Sequence, residues 1–323
     1  MITVASPLRA PKLLIDCDPG LDDALAIMLA QATGELVGIT TVSGNASLEA
    51  VTDNALALLS LLDQDVPVHA GAAGPLQMPA DGRVPDATHV HGARGLGDVA
   101  LPAHRRRVAS NDAVGFLLES ARQHSDLNVI AIGPLTNLAR AVEADATFAG
   151  RLGCLSIMGG STGGGNVTAT AEFNIWADPE AGDIVFRSGA PIRLAGLNLT
   201  HQLKTSAAFR SAVAAIDTAQ ARVALAIIDY LHGRMLELTG EAAAALHDPC
   251  AVLAVTHPEL INSEDLPVAV ALDGALTRGM TVIDQRWAGR RLEPRLAVGQ
   301  GIDADAALTV MLDALRPASA RSR

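Results

Sequence analysis

The chain is poor in aromatic residues, with five Phe, two Trp and one Tyr among 323 positions. A pocket that grips a flat ligand by stacking rings against it has little to draw on. Cysteine is scarce as well: Cys17, Cys154 and Cys250 are the only three. They form no CxxC pair and sit in apolar surroundings, which excludes a disulfide framework and reads as packing. Positive charge is short, with 24 Lys and Arg against 35 Asp and Glu and a formal net charge of −11. A nucleic-acid partner needs a basic face, so none is expected. The only basic runs, Arg105–Arg107 and the tail Arg321 and Arg323, read as solvated surface. No apolar run is long enough to span a bilayer, so no membrane partner is expected. Met1–Ala10 has no apolar run behind a basic head, so no signal peptide is expected and a cytoplasmic location follows.

What is present is the material of one large core. Hydrophobic residues make up 49% and charged residues 18%, which fits a single α/β domain over residues 1–323. Short β-type runs alternate with helical patterns. The expected order is a strand over Lys12–Asp16, a helix over Leu21–Ala32, a strand over Leu36–Val42, a helix over Leu48–Leu62 and a short strand over Val66–His69. A helix over Ala113–His124 and strands over Leu127–Ile132, Leu155–Met158 and Ile192–Leu194 follow. Such alternation predicts an open, mostly parallel sheet flanked by helices on both faces. One long helix is expected over Ala219–Thr239. The runs Val268–Leu272, Met280–Ile283 and Leu296–Val298 read as a small antiparallel addition. Gly71–Ser110 and Gly159–Ala171 read as long loops, which in compact domains tend to be functional.

The first chemical signal is Asp16-Cys17-Asp18-Pro19-Gly20-Leu21-Asp22-Asp23, four carboxylates within eight residues. Asp16 ends a strand, Asp18 lies just past it, and Asp22 and Asp23 open a helix. The helix dipole favours acids at its N-terminus, which accounts for Asp22 and Asp23 but not for Asp16 and Asp18. Four acids this close repel unless a cation sits among them, and oxygen-only ligands select a hard ion, Ca²⁺ or Mg²⁺. A strand followed by Asp-x-Asp also opens haloacid-dehalogenase-type phosphatases. That pattern wants Thr or Val two places after the second Asp, where Gly20 stands here, and it lacks the Asp22-Asp23 pair.

The segment Asp16–Ala24 resembles the opening signature of the inosine–uridine type of nucleoside hydrolases. The resemblance continues in order through Gly44-Asn45, His89-Val90-His91-Gly92, Gly133–Asn137, Met158-Gly159-Gly160, Asn166, Ala171–Asn174, Asp178–Ala181 and His247–Ala251. Asp18, Asn45, Ile132 and Met158 fall at or just past the ends of expected strands, the edge where open α/β sheets bind ligands.

The resemblance implies a Ca²⁺ held by Asp18, Asp23, Asp248 and the backbone carbonyl of Ile132, with Asp16 close behind. It implies that Asp18 takes the proton of a water that attacks the anomeric carbon opposite the base, with inversion through an oxocarbenium-like ribosyl cation. Ribose would be held by Asp22, Asn45, Asn166, Glu172, Asn174 and Asp248, with Met158 lining the site. His247 is the general-acid candidate for the leaving base, and His91 would help as its loop closes. Thr136 and Asn137 read as structural, capping the following helix. Toward the base, Leu231 and Met235 stand where relatives can present tyrosines, with Tyr230 and His232 beside them; Trp287 falls in no motif. The expected activity is hydrolysis of ribonucleosides to ribose and free base. Another N-riboside, such as nicotinamide riboside, and a non-catalytic nucleoside binder are the alternatives. A homo-oligomer, dimer or tetramer, is implied by the resemblance alone.

Overall fold

The computed structural model describes residues 10–286 and 293–320; Trp287, Arg321 and Arg323 lie outside them. The first strand, β1 (Lys12–Cys17), is apolar on both faces and almost wholly buried, as a central strand of a parallel sheet must be. Alternate residues serve opposite faces. Leu13, Ile15 and Cys17 join the core on one side, while Leu14 joins a second core on the other. Helix α1 (Leu21–Thr33) is buried from Leu21 through Ala30, because it is enclosed rather than laid on the surface.

The remaining elements follow the alternation. They are β2 (Glu35–Thr41), α2 (Leu48–Leu61), β3 (Val68–Ala70), the short α3 (Thr88–His91), α4 (Ala113–Gln123), β4 (Asn128–Ala131), α5 (Thr136–Ala144) and β5 (Cys154–Met158). Next come α6 (Phe173–Ala177), α7 (Pro179–Phe186), β6 (Ile192–Ala195), α8 (Leu197–Thr200), α9 (Ala207–Ala214), α10 (Ala219–Thr239) and α11 (His247–Thr256). The chain closes with β7 (Ile261–Val270), β8 (Thr281–Ile283), β9 (Arg295–Ile302) and α12 (Ala304–Leu315). The strand order is β3-β2-β1-β4-β5-β6-β9-β7-β8.

One sequence expectation is extended and one corrected. The run Leu296–Val298 belongs to β9, which pairs antiparallel with β7, as β7 does with β8, and whose other edge pairs parallel with β6 and so joins the addition to the main sheet. Alternation along a strand reports burial and not the direction of the neighbour, so its partner was not readable. Thr136 and Asn137 are structural but do not cap α5, whose N-cap is Leu135 without a side-chain bond. Thr136 instead donates to Asp178 and Asn137 to Asp16.

The order turns at β1. From β1 the chain builds outward through β2 and β3, then returns to β4 on the other side of β1. In such sheets the crevice past the carboxyl ends at this reversal is the ligand site. Asp18 lies just past β1, Asn45 beyond β2, Ile132 directly after β4, and Met158 ends β5.

Candidate active site

A cavity of about 450 Å³ opens over this edge, within the size range of small-molecule sites. Asp22, Asn45, His91, Ile132, Met158, Asn166, Glu172, Asn174, His247 and Asp248 all line it. Asp18 and Asp23 are not among the lining residues. They lie beneath the floor, 1% and 0% exposed.

The floor is built by local chain geometry. Gly20 precedes α1, and its N–H donates to Asp23 Oδ2 at 2.9 Å, while the Asp18 N–H meets Asp23 Oδ1 at 3.3 Å. Asn45 ties the turn together: its backbone N–H donates to Asp18 Oδ2 at 2.6 Å, and its amide donates to the Asp18 carbonyl and to Asp23 Oδ2. Asp18 is held between two glycines. A Cβ on Gly44 would lie 2.1 Å from Asp18 Oδ2, and one on Gly133 would lie 2.6 Å from Oδ1. No larger residue fits at either place without moving the carboxylate. Behind them Asp16 accepts from Thr40 and Asn137 on one oxygen.

Carboxylate oxygens of Asp22, Asp23 and Asp248 lie within 4.8 Å of one another. This triple takes in Asp22, assigned above to ribose, and leaves Asp18 one step outside. Burial pushes the carboxyls of Asp18 and Asp248 well above the usual range, and neighbouring acids add to it. Burial and then Asp22 raise Asp23 to about 7, and burial raises Asp16 to about 6. The carboxylates of Asp23 and Asp248, with that of Asp22, are close enough to repel one another as anions. Among the described residues the buried oxygens Asp16 Oδ2 and Asp18 Oδ1 have no hydrogen-bond partner. Orphaned buried oxygens and crowded buried acids are what a divalent cation would relieve. The donor set is all oxygen, so these residues fit a hard ion.

One wall comes from the loop after β5. Glu172 N-caps α6 and accepts three backbone N–H groups, from Gly160, Asn174 and Ile175; burial nonetheless raises its carboxyl to about 7. The Asn174 amide donates to the carbonyls of Ile132 and Met158 at 3.1 Å each, which leaves its oxygen for a ligand. Asn166 accepts from the Phe173 N–H and keeps its amide hydrogens. The Ile132 carbonyl thus has one partner and a second lone pair.

Two histidines, His91 and His247, line the cavity. His91 Nδ1 accepts from the Leu21 N–H at 3.2 Å, which docks α3 on the start of α1. His247 Nδ1 pairs with the buried Thr200 hydroxyl at 2.8 Å, leaving Nε2 for a ligand. Burial lowers the pKa of both, that of His247 to about 4.

The outer half of the cavity is lined by Leu231 and Met235 of α10, as expected, and His232 turns away to pair with Thr205 at 2.7 Å. Tyr230 packs on Gly97. Sequence reasoning missed His89, His201, Lys204, Thr239 and Glu241, which also line this half. The strand-end rule could have found His201 and Lys204, because α8 begins just past β6 on the same edge. Nothing marked Glu241, which depends on where the chain turns after α10.

A family model for inosine-uridine preferring nucleoside hydrolases matches residues 13–309. The inosine-uridine preferring nucleoside hydrolase of Leishmania major is 37% identical over 310 residues, 94% of this chain and 97% of that protein. Its counterpart in Crithidia fasciculata is 40% identical over 281 residues, 85% of this chain and 88% of that one. The solved structure of the purine-preferring ribonucleoside hydrolase from Gardnerella vaginalis superposes with a TM-score of 0.87 at 31% identity, covering 94% and 98% of the two chains. The matched region runs from β1 into α12 and holds the whole cavity, so the chain belongs to the inosine-uridine preferring nucleoside hydrolase family and is an N-glycosyl hydrolase of ribonucleosides.

Proposed function

We propose that the chain cleaves ribonucleosides with a divalent cation, Ca²⁺, held by Asp18, Asp23, Asp248 and the Ile132 carbonyl, with Asp22 beside it. The observation that carries this reading is the buried acid cluster with its orphaned Asp18 oxygen under a nucleoside-sized cavity. Bound there, the cation supplies positive charge that makes a water a better nucleophile at neutral pH.

Asp18 is the general base. Its Oδ2 is fixed by Asn45 and its Oδ1 is free to accept a proton. As water adds to the anomeric carbon from the floor, the bond to the base nitrogen breaks on the opposite side. Water's proton passes to Asp18, the bonding electrons leave with the base, and the anomeric configuration inverts. Asp22, Asn45, Asn166, Glu172, Asn174 and Asp248 present the polar groups that the ribose hydroxyls need once water is excluded. Met158 fills the space beneath the sugar. His247 meets the leaving base through Nε2, held in place by Thr200, and His91 closes the side wall from α3.

The chain would work as a homo-oligomer in the cytoplasm. No described helix is long and apolar enough to cross a membrane.

The test is hydrolysis of a panel of ribosides, nicotinamide riboside included, read as free ribose before and after exhaustive chelation. Activity should vanish on chelation and return with Ca²⁺. Full activity in verified metal-free protein would overturn the metal assignment. Failure on every riboside, with binding retained, would favour the non-catalytic reading.

A further inference from the structure

Thr200 ends α8, and it is wholly buried. Other helical threonines, Thr33, Thr239, Thr256 and Thr309, donate their hydroxyls to the carbonyl one turn back. Thr200 does not. Its hydroxyl lies 2.8 Å from His247 Nδ1, and among the described residues it has no other partner. The contact joins the end of α8 to the start of α11, far apart in the chain.

The direction of this bond follows from what each choice leaves unpaired. A hydroxyl carries one hydrogen and two lone pairs, and a neutral imidazole carries one N–H and one bare nitrogen. With the proton on Nδ1, the ring would donate to the Thr200 oxygen, and the threonine hydrogen would be buried without an acceptor. A buried donor left unpaired is strongly unfavourable. With the hydroxyl donating to Nδ1, each hydrogen at the contact has its acceptor, and only a spare lone pair remains. The ring is flanked on another side by His201, whose ring lies 5.6 Å away between centroids and tilted by 67°. His247 lines the cavity, and among the described residues its Nε2 has no hydrogen-bond partner.

We propose that Thr200 is a positioning residue that fixes the His247 proton on Nε2, so that the ring meets the departing base as a hydrogen-bond donor. Which nitrogen of a histidine carries the proton is set by the bond its other nitrogen makes. As the bond to the sugar breaks, its electrons leave with the base, and the oxygen and nitrogen atoms of the base gain negative charge. An N–H in place before the bond breaks stabilises that charge without reorganisation. The other tautomer would set a lone pair against a lone pair. Thr200 does not line the cavity, so it acts through His247 and not on the substrate.

The inference rests on the hydrolase reading, and the experiment separates the two. Nitrogen NMR of the metal-loaded, isotope-labelled protein, with His247 assigned by its loss in His247→Ala, reads the tautomer and needs no turnover. The wild type and Thr200→Ser, which keeps the hydroxyl, should show a bare Nδ1 and a protonated Nε2; Thr200→Val should show a mixture. A proton on Nδ1 in the wild type, alone or together with one on Nε2, would overturn the inference. Inosine, uridine and p-nitrophenyl riboside are then assayed with the same proteins. Thr200→Val should lower kcat on both nucleosides by about tenfold with little change in KM. It should spare p-nitrophenyl riboside, whose leaving group is stable as an anion, and Thr200→Ser should recover most of the nucleoside rate. An equal fall on all three substrates, or no recovery in Thr200→Ser, would make Thr200 mere packing and overturn the inference. If Thr200→Val does not fold, the wild-type spectrum and Thr200→Ser still decide. No cleavage of any of the three by the wild type would remove the hydrolase reading instead, and the spectrum alone would then confirm or overturn the tautomer.

Discussion

The two halves of the cavity are built on opposite principles. The inner half is made of turns that leave the ends of β1, β2, β4 and β5, and its polar side chains are tied to one another and to backbone groups. Asn45 alone makes three bonds to the Asp18–Asp23 turn, and Glu172 accepts three backbone N–H groups. The outer half is made of the last turns of α10, the segment beyond it and the residues after α8. There Leu231 and Met235 offer only contact area, and among the described residues the side-chain charges of Lys204 and Glu241 have no partner. One half has its polar side chains fixed by internal bonds; the other presents polar side chains that no such bonds fix. Reaction chemistry tolerates little movement of its groups, whereas discrimination among bases needs only a difference in binding.

That contrast can be broken or sharpened by substitution. The largest effect is expected in the inner half. Asp18→Asn removes the base and should lower kcat by about 10²–10⁴-fold on every riboside. Yet metal-free Asp18→Asn should melt no lower than metal-free wild type, because a buried carboxyl crowded by Asp22 and Asp23 is replaced by a neutral amide. A lower melting temperature with intact turnover would mean that Asp18 is scaffold and not machinery.

His247 stands at the junction of the halves. His247→Ala should slow inosine hydrolysis by about 10²-fold or more while sparing p-nitrophenyl riboside, whose leaving group needs no proton. An equal fall on both would show that His247 acts through its neighbour Asp248 on the floor.

Substrate truncation probes the inner half from the other direction. A missing 2′-hydroxyl leaves buried polar groups unpaired at about 1–3 kcal/mol each, so deoxyuridine should fall roughly 10–100-fold below uridine in kcat/KM. Uridine monophosphate should also be a poor substrate, since its phosphate adds negative charge above an acidic floor. Comparable values for all three would contradict the assignment of these polar side chains to ribose.

The smallest effect belongs to the outer wall. Met235→Ala should raise KM by about tenfold, because shortening one side chain of an apolar wall falls at the low end of the roughly 1–3 kcal/mol such walls contribute, and kcat should not change. A large loss of kcat would mean that α10 positions the chemistry and is not merely a wall.

Much of the inner half was legible from the residues alone. Four acids in eight positions straddling a strand end and a helix start have few readings, and the strand-end rule brought Asn45, Ile132 and Met158 to the same place. Their partners were less legible. Thr136 and Asn137 were expected to cap α5, but they bond Asp178 and Asp16 across the sheet edge. A side-chain amide or hydroxyl is small enough to serve either purpose, and only the neighbouring strand decides. The direction of β9 was likewise open until β6 was seen beside it.

By itself the sequence determined which chemistry is possible here. Period-two and helical patterns set the order of elements, and the order of parallel strands sends their ends, with the acids they carry, to one edge. Tertiary structure decided how that chemistry is divided. It brought Asp248 beside Asp22 and Asp23, placed Asp18 one layer below the cavity, lowered His247 by burial, and turned the chain after Gly240 so that Glu241 shares a cavity with Lys204. These outcomes depend on distances between segments far apart in the chain and on how much water each group loses. Neither quantity is written in the local spacing of residues.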